Sequence, residues 1–321
     1  MESFDTIVIG CGAAGSMAYL RSVLYCDRTL VLTGDGDTQR RARGVWVGAI
    51  DNIPGMHGIS RPIAAASKTT LAWVEAHPQL ARFGQARAVR AEAIEIAEEG
   101  FVVRWGAGKE AARCSFVVLA TGVSDVQPLI QGSIRPIFPY AARREVIYCI
   151  RSDGHLTFEQ PVVVIGSSPT AARIAGVIGL RYRPRSVALC TNGAAPAFGK
   201  ETAAFLSQRG IPVHSAAIAE LQGDPETGLC GLRLEDGQEL PCTRLVVSLG
   251  AKASNELLVA IGGEVEPSGR ARVGAHGESS IPGLFVVGDL AAGKKMQVYT
   301  GWDSAVDAVD EINLRLRRAR Q

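Results

Sequence analysis

Short apolar runs recur along the whole chain, and most of them end at a glycine or a small polar residue. They are rich in Val, Ile and Leu and lack polar alternation, which is typical of strands buried on both faces of a parallel sheet. The runs cover residues 6–9, 29–33, 116–122, 162–165, 187–190, 244–250 and 283–289. A final helical stretch has apolar residues at Ala305, Val306, Val309, Ile312 and Leu316. This pattern predicts an α/β fold, with the last stretch packing against the core.

The first run leads into the loop GCGAAG at residues 10–15, which an amphipathic stretch follows. Gly10 permits a tight turn, Gly12 lets the backbone approach a pyrophosphate, and Gly15 allows a helix to pack closely on the strand. The amides at the start of that helix would then meet the phosphates. The context of strand, turn and helix predicts a dinucleotide site. Its predicted contacts are Gly10, Gly12, Ala13, Ala14 and Gly15.

The second run ends where this fold usually places an acid on the adenosine ribose. Here the run closes with Leu32-Thr33-Gly34-Asp35. Asp35 is at about the right distance, but Thr33 could occupy the position instead, so both stay candidate cofactor contacts.

The glycine motif recurs in a weaker form at residues 166–171, GSSPTA. Ser168 replaces the middle glycine and would restrict the approach of a pyrophosphate, while Pro169 suits a first helical turn. After the next strand, Thr191-Asn192-Gly193 offers neither an acid for a ribose hydroxyl nor an arginine for a 2′-phosphate. The motif predicts a second unit of the same fold, and it leaves NAD(P)H a doubtful cofactor.

Composition narrows the range of partners. The 321 residues include 34 Lys+Arg and 32 Asp+Glu, so the formal net charge is +2. This balance gives no reason to expect nucleic acid or an anionic membrane as a partner. No apolar run reaches the roughly 18–20 residues of a membrane span. The length suits two domains.

The seven cysteines are scattered, odd in number and without metal-ligand spacing. This pattern favours reduced thiols in the cytoplasm over a disulfide framework, and we predict no metal site. The first strand begins with no basic region and no hydrophobic stretch before it, so we predict no signal peptide.

Several motifs combine into a longer pattern. They are GCGAAG (10–15), NIPG (52–55), ATG (120–122), YCIRSDG (148–154), GSSPTA (166–171), SLG (248–250), PGLFVVGD (282–289) and Gln297. Their order and spacing resemble the two-domain flavoproteins of the thioredoxin reductase class. The resemblance implies two Rossmann-like, three-layer (ββα) nucleotide-binding domains. Residues 1–125 and 249–321 would form a discontinuous FAD domain, and residues 126–248 an inserted NAD(P)-type domain with the redox motif.

The resemblance also implies FAD as the cofactor, with further contacts to it. Asp289 would hydrogen-bond the ribityl chain. The start of the last helix, at Gln297 and Val298, would face the flavin pyrimidine edge, where the helix dipole favours the anionic reduced flavin. The other implied contacts are Asn52, Ala120, Thr121, Gly122 and Gly288. Proteins of this class pair through their FAD domains, so a homodimer is implied as well.

The redox motif departs from the family pattern Cys-x-x-Cys-Asp, because this chain has Cys149-Ile150-Arg151-Ser152-Asp153. In the resembled enzymes the first cysteine attacks the substrate disulfide, the second faces the flavin, and the aspartate moves protons. These roles would fall on Cys149, Ser152 and Asp153. A serine can neither close a disulfide nor readily become an anion. Cys149 alone could still form a mixed disulfide, so turnover by the chain as written is doubtful.

The origin of Ser152 stays open. It is either an engineered substitution of the kind that traps a mixed disulfide or a natural loss of dithiol turnover. We favour the first, because the proton shuttle Asp153 has little purpose without its thiol. Cys149 could also be an ordinary buried cysteine, and His155 is a further candidate acid–base group.

The leading hypothesis is an FAD-dependent thiol–disulfide oxidoreductase that acts on a small thioredoxin-like redox protein or a small disulfide. The absent phosphate-binding arginine resembles members of the family that do not use NADPH, among them ferredoxin-fed reductases and dithiol oxidases. The electron donor stays open, and a ferredoxin-type protein is one candidate. Flavin or ferredoxin reductase activity would require an intact second glycine motif. The hypothesis from another class is a non-catalytic flavoprotein, a sensor or binding module with Cys149 as its single redox-sensitive thiol.

Overall fold

The computed structural model describes residues 1–41 and 43–321. It forms two compact units, each assembled from more than one segment of the chain. Unit 1 consists of Met1–Val47, Ile59–Ser124 and Lys252–Gln321, and unit 2 of Gly48–Gly58 and Asp125–Ala251.

The helices and strands follow one another in the order β1 (Glu2–Ile9), α1 (Ala13–Leu24), β2 (Thr29–Leu32), α2 (Gly36–Arg41), α3 (Arg43–Trp46), α4 (Pro62–Ala76), β3 (Gly84–Arg87), β4 (Ala93–Ala97), β5 (Gly100–Trp105), β6 (Glu110–Leu119), β7 (Val123–Asp125), α5 (Phe138–Ala142), β8 (Val146–Ile147), α6 (Ile150–Asp153), β9 (Pro161–Ile165), α7 (Pro169–Arg181), β10 (Ser186–Cys190), α8 (Lys200–Gln208), β11 (Val213–His214), β12 (Ile218–Asp224), β13 (Gly228–Leu234), β14 (Glu239–Pro241), β15 (Arg244–Val247), β16 (Ala251–Ala253), α9 (Glu256–Ala260), β17 (Leu284–Val286) and α10 (Val298–Ala319). Short 3₁₀ turns cover Arg135–Ile137, Gly154–Thr157, Ala275–Gly277 and Gly288–Leu290.

Unit 1 is built on a sheet with the strand order β3-β2-β1-β6-β5-β4, and β17 also pairs with β6. Strands β3, β2, β1, β6 and β17 run parallel to one another. Strand β17 pairs with residues 117–119 of β6, whereas β5 pairs antiparallel with residues 110–114, and β4 pairs antiparallel with β5. Helices α1 and α10 cover one face, where Val8, Ala18, Phe285 and Val309 belong to one core. Because a parallel strand is buried on both faces, β2 is buried along its whole length, and its last three residues, 30–32, are apolar.

Unit 2 repeats this plan with a parallel sheet of order β11-β10-β9-β15-β8. Alternate residues of β9 face two different layers, as the period of a strand requires. Val162 and Val164 pack with α7, while Val163 and Ile165 pack with the antiparallel sheet β12-β13-β14. Each parallel sheet of the protein is thus combined with helices and with antiparallel strands.

The α/β prediction is confirmed, because two Rossmann-like units with parallel sheets are present. The predicted strands overlap β1, β2, β6, β9, β10, β15 and β17, and the predicted last helix is α10. Of the helix positions assigned to the core, four are buried and Val306 is half-buried. Four strands end earlier than predicted, at Leu32, Leu119, Val247 and Val286, because the small, polar and glycine residues after them turn the chain.

The division into units differs from the sequence-based boundaries by one to three residues at Asp125 and at 249–251, and by one whole segment. Gly48–Gly58 groups with unit 2, whereas the sequence pattern assigned it to the first domain. The reason is local, because Asp51 in this segment pairs with Arg144 and His155 of unit 2.

A buried carboxylate fastens the C-terminal helix of unit 1. Asp27 is completely buried, and it accepts hydrogen bonds from Asn313 Nδ2 at 2.8 Å and Arg320 Nη1 at 3.2 Å. Burial raises the pKa of Asp27, which Asn313 and Arg320 partly offset. Both donors belong to α10 or its C-cap, so they hold the end of this helix against the turn between α1 and β2.

We expect Asn313→Ala to lower the free energy of unfolding by about 1–3 kcal/mol, the usual cost of leaving a buried polar group without its partner. Chemical denaturation measures this difference. Arg318→Ala is the control, because Arg318 lies exposed on the same last turn, and its effect should stay within about 0.5 kcal/mol. Equal losses in the two variants would show that the Asp27 contact contributes nothing of its own.

None of the helices in the described part of the chain combines the length and the apolarity that a membrane span requires.

Candidate functional site

The first glycine loop requires glycine at two positions. Gly10 has a φ of 98°, in the left-handed region, and a Cβ there would lie 2.5 Å from the carbonyl oxygen of Ala120. A Cβ on Gly15 would clash with the carbonyl oxygen of Gly10. The tight turn and the close packing of α1 against the strands therefore both depend on the missing side chains.

Gly12 is glycine for another reason. It is the N-cap of α1 with an ordinary φ of −75°, and a Cβ on it would find no atom within 4 Å. In the described chain no side chain caps this helix, and its first turn carries no acid. The start of α1 thus combines open space with uncapped backbone donors, and both are properties of a phosphate-binding helix terminus.

Two later segments reach the start of α1. A Cβ on Gly288, whose φ is 69°, would lie 2.8 Å from Cβ of Ala14, and one on Gly301 of α10 would lie 3.5 Å from the same atom. Glycine at 288 lets the 3₁₀ turn Gly288–Leu290 approach α1 closely, while α10 packs against α1 at Gly301 with room for an ordinary contact. We call the meeting point of these three elements the unit 1 cradle.

Asp289 lies in this 3₁₀ turn with its Oδ2 3.0 Å from Nη1 of Arg43. Arg270 holds the backbone of the segment that follows. Its guanidinium donates to the carbonyl oxygens of Asp289 at 2.9 Å and Lys294 at 2.9 Å, and also to that of Ala291. No sequence pattern pointed to either arginine, because both contacts join residues that are distant in the chain.

The other predicted contacts in unit 1 lie at the ends of elements. Gln297 is the buried N-cap of α10, which begins at Val298, and its Nε2 donates to the carbonyl of Met296 at 2.7 Å. The segment 120–122 follows β6, and Oγ1 of Thr121 donates to the carbonyl oxygen of Ser254 at 2.6 Å. Ala120 and Gly122 flank this threonine.

The two ribose candidates have different surroundings. Oδ1 of Asp35 accepts from the backbone N of Thr38 at 2.8 Å and from its Oγ1 at 2.6 Å, and these hydrogen bonds lower the pKa of Asp35. Asp35 thereby caps the short helix α2. Thr33 follows β2 and donates its backbone N–H to the carbonyl of Arg87 at 2.9 Å. Both residues stay candidates. Asn52 belongs to unit 2.

In the second glycine loop a serine side chain occupies one of the backbone donors at the start of the helix. A Cβ on Gly166 would lie 2.5 Å from the carbonyl oxygen of Ser248, so the tight turn survives. Ser168, however, is the N-cap of α7, and its Oγ accepts a hydrogen bond from the backbone N of Ala171 at 3.2 Å. One backbone N–H at the start of α7 therefore has a side-chain acceptor, whereas no side chain of the described residues caps the start of α1.

The side chain of Asn192, in the turn after β10, is also engaged in hydrogen bonds within unit 2. Asn192 has a left-handed φ of 52°. Its Nδ2 donates to the carbonyl of Leu129 at 2.9 Å, and its Oδ1 accepts from the backbone N of Ile218 at 2.8 Å. The side chain at the expected ribose position thus holds two loops of unit 2 together.

The redox motif forms one short helical turn. Cys149 is the half-buried N-cap of α6 and forms no disulfide. Oγ of Ser152 lies 2.8 Å from Oδ2 of Asp153 and 3.2 Å from the carbonyl oxygen of Cys149. A hydroxyl has a single hydrogen to donate, and the carboxylate is the nearer acceptor. The structure thus brings the three predicted redox residues together.

A packing contact fixes this turn. A Cβ on Gly154, whose φ is ordinary, would lie 2.5 Å from the ring of Tyr182, so a larger residue there would have to displace this ring. Oη of Tyr182 donates to the carbonyl of Ile150 at 3.1 Å. Tyr182 therefore joins α6 to the end of α7.

Asp153 borders a polar cluster formed by Arg144, Asp51 and His155. Nη2 of Arg144 lies 3.5 Å from Oδ1 of Asp153 and forms a closer pair with Oδ2 of Asp51. Nε2 of His155 lies 2.9 Å from the same oxygen of Asp51. Burial raises the pKa of Asp153 against the opposing effects of Ser152 and Arg144, while the hydrogen bond from Arg144 lowers the pKa of Asp51. The sequence pattern identified His155 as a candidate but missed Asp51 and Arg144.

Three other cysteines are unsuited to nucleophilic chemistry. Burial raises the pKa of the Cys11, Cys114 and Cys242 thiols to about 12, which makes them poor nucleophiles at neutral pH. Among the described residues no group of three or more His, Cys, Asp or Glu side chains is arranged to hold a metal ion.

Residues 4–311 match the family model described as pyridine nucleotide-disulphide oxidoreductase. Among curated proteins, a component of the alkyl hydroperoxide reductase of Pseudomonas putida is 27% identical over 297 residues, which cover 90% of this chain. This chain spans only 54%, about half, of that relative.

Solved structures show the same fold. The crystal structure of HlmI matches with a TM-score of 0.83 and 23% identity, covering 98% of this chain and 93% of that one. Thioredoxin reductase from Streptococcus pyogenes MGAS5005 matches with a TM-score of 0.80 and 18% identity, covering 98% and 99%.

Proposed function

Because this chain belongs to the pyridine nucleotide-disulphide oxidoreductase family, we propose that it is an FAD-dependent thiol–disulfide oxidoreductase of thioredoxin reductase type. Unit 1 would be the FAD domain, and unit 2 would carry the redox residues Cys149, Ser152 and Asp153. Bound FAD would supply the two-electron chemistry between an electron donor and sulfur. The chain's own residues would hold the cofactor, present a thiol and move a proton.

The observation that carries the proposal is the contrast between the two glycine loops. At α1 the N-cap Gly12 leaves open space and no side chain of the described residues caps the helix. At α7 the hydroxyl of Ser168 occupies a terminal amide. A dinucleotide pyrophosphate therefore fits the first loop better than the second. Asp289, Gln297 and Val298 lie at the same cradle and would contact the flavin half of FAD.

The experiment is to measure FAD binding with two matched variants. Gly12 and Gly199 are both helix N-caps with open space around the Cβ position. We expect purified protein to be yellow with one FAD per chain. Gly12→Val should lose at least about tenfold in FAD affinity, or about 1.4 kcal/mol, because the new side chain would occupy the space of the phosphate.

Gly199→Val should retain FAD, and both variants should keep the melting temperature of the parent apoprotein. A colourless parent that cannot be reconstituted with FAD would refute the proposal.

The electron donor is the next part of the proposal. Two features of unit 2 support independence from NADPH. Ser168 caps helix α7, and the side chain of Asn192 is already hydrogen-bonded to Leu129 and Ile218. A ferredoxin-type donor fits this arrangement.

We further propose a cytoplasmic homodimer that acts on a small thioredoxin-like protein or a small disulfide. The mass of the protein in solution tests the dimer.

One observation favours a second function. Ser152 lies at the position of the second sulfur, and its hydroxyl is bound to Asp153. A flavoprotein with a single reactive thiol would be a sensor or binding module rather than a turnover enzyme. Mass spectrometry of the intact protein distinguishes the two functions: an adduct between Cys149 and a small redox protein supports the oxidoreductase, and an inert thiol supports the sensor.

A further inference from the structure

We propose that Arg144 is a positioning residue, which divides its positive charge between Asp51 and Asp153 and so sets the protonation of Asp153. The inference rests on the proposed function, in which Asp153 moves protons beside the redox sulfur. It adds two residues, Arg144 and Asp51, that lie outside the motifs shared with thioredoxin reductases.

The backbone gives the first observation. Arg144 follows helix α5 and its C-cap with a left-handed φ of 62°. Its N–H bonds to the carbonyl of Ala141, and the N–H of Glu145 bonds to that of Tyr140. This is a Schellman motif, in which the left-handed position is usually glycine because a Cβ is disfavoured there. The chain holds an arginine where the turn alone would favour glycine.

The side chain gives the second observation. The guanidinium of Arg144 contacts Oδ2 of Asp51 and lies 3.5 Å from Oδ1 of Asp153. His155 binds the same Asp51 oxygen at 2.9 Å, and Arg244 on β15 adds a second positive charge near Arg144. These groups are partly buried, with 25–32% of the Asp51, Arg144 and Asp153 side chains exposed, so their charges are only partly screened.

The arrangement makes Asp51 a competitor of Asp153 for one cation. Asp51 holds the guanidinium in its closer contact, and its own negative charge raises the pKa of Asp153. Arg144 acts in the opposite direction on Asp153. His155 takes part in the same competition, because its ring contacts the Asp51 oxygen that Arg144 also contacts.

Removing the two partners should therefore shift the pKa of Asp153 in opposite directions. Arg144→Gly removes the cation and its hydrogen bond, so the pKa of Asp153 should rise. Asp51→Asn removes the repulsion and frees Arg144, so the pKa should fall. A network that only holds the fold together would not produce shifts of opposite sign.

The measurement is the titration of Asp153 in full-length, flavin-loaded protein by ¹³C NMR of labelled carboxyl groups, assigned with Asp153→Asn. Arg183→Gly is the matched control. Arg183 also follows a helix with a left-handed φ, of 47°, is exposed, and makes no ion pair within the described chain. Glycine suits both positions, so the melting temperature should show both variants folded.

Opposite shifts with an unchanged pKa in Arg183→Gly support the proposal. Shifts of one sign, no shifts, or an equal shift in Arg183→Gly overturn it. The titration is independent of disulfide turnover. If the shifts appear while Ser152→Cys reduces no disulfide, the charge sharing stands and the proposed function fails.

Discussion

Restoring a thiol at position 152 should turn an inactive protein into a disulfide reductase. With a chemical electron donor and a panel of disulfides, we expect Ser152→Cys to exceed the parent rate by at least ~10²-fold, the scale on which a reacting group contributes to catalysis. Cys149 can attack a substrate disulfide, which forms a mixed disulfide and releases one substrate thiol. A second thiol must then attack Cys149 to release the other. Ser152 cannot do this, because a hydroxyl lacks sulfur redox chemistry and stays protonated at neutral pH.

The local structure already suits the change. Position 152 lies on the same short turn as Cys149, and its Oγ is 2.8 Å from a carboxylate oxygen of Asp153 that could accept the thiol proton. Ser152→Ala should behave like the parent, and Ser152→Cys combined with Cys149→Ser should be inactive. If the serine protein turned over as fast as the cysteine variant, position 152 would not be the second redox position.

NADPH should reduce the flavin slowly or not at all. The 2′-phosphate meets no basic side chain in residues 191–199, and Ser168 already satisfies the amide of Ala171. A missing charge-assisted contact costs about 1.5–3 kcal/mol, or roughly 10–150-fold in affinity. Stopped-flow mixing with micromolar NADPH measures the rate, and reduction by dithionite is the control for a competent flavin. Reduction within milliseconds would show that unit 2 is a working NADPH domain.

The fold could be predicted because its signals are local. The apolar runs at 6–9 and 162–165 belong to β1 and β9, and each is followed within a few residues by a glycine turn and a helix. A parallel strand that is buried on both faces has a continuous apolar sequence, which can be recognised without knowing the strands that pair with it. The requirement for glycine at Gly10 could be inferred in the same way, since it depends on the turn itself.

The charged part of the site could not be predicted, because its contacts join residues that are far apart in the chain. Asp51 meets Arg144 across 93 positions, and no period of a helix or strand relates them. Arg270 holds the carbonyls after Asp289 only once the loops are folded. The same distance explains why the sequence pattern assigned Gly48–Gly58 to the first domain. A weak signal did exist, because Asp51 directly precedes the recognised motif at 52–55.

The unit 1 cradle has a consequence for synthesis on the ribosome. It joins the glycine loop at 10–15 to Gly288 and Gly301, so both ends of the chain must be present. At roughly 5–20 residues per second, Gly301 is added on the order of 15–60 s after the loop. Unit 2, whose last residue is Ala251, is complete before that. A nascent chain therefore has all residues of unit 2 while the unit 1 cradle still lacks Gly288 and Gly301, so a dinucleotide proposed to bind there would find the cradle complete only after residue 301 is added.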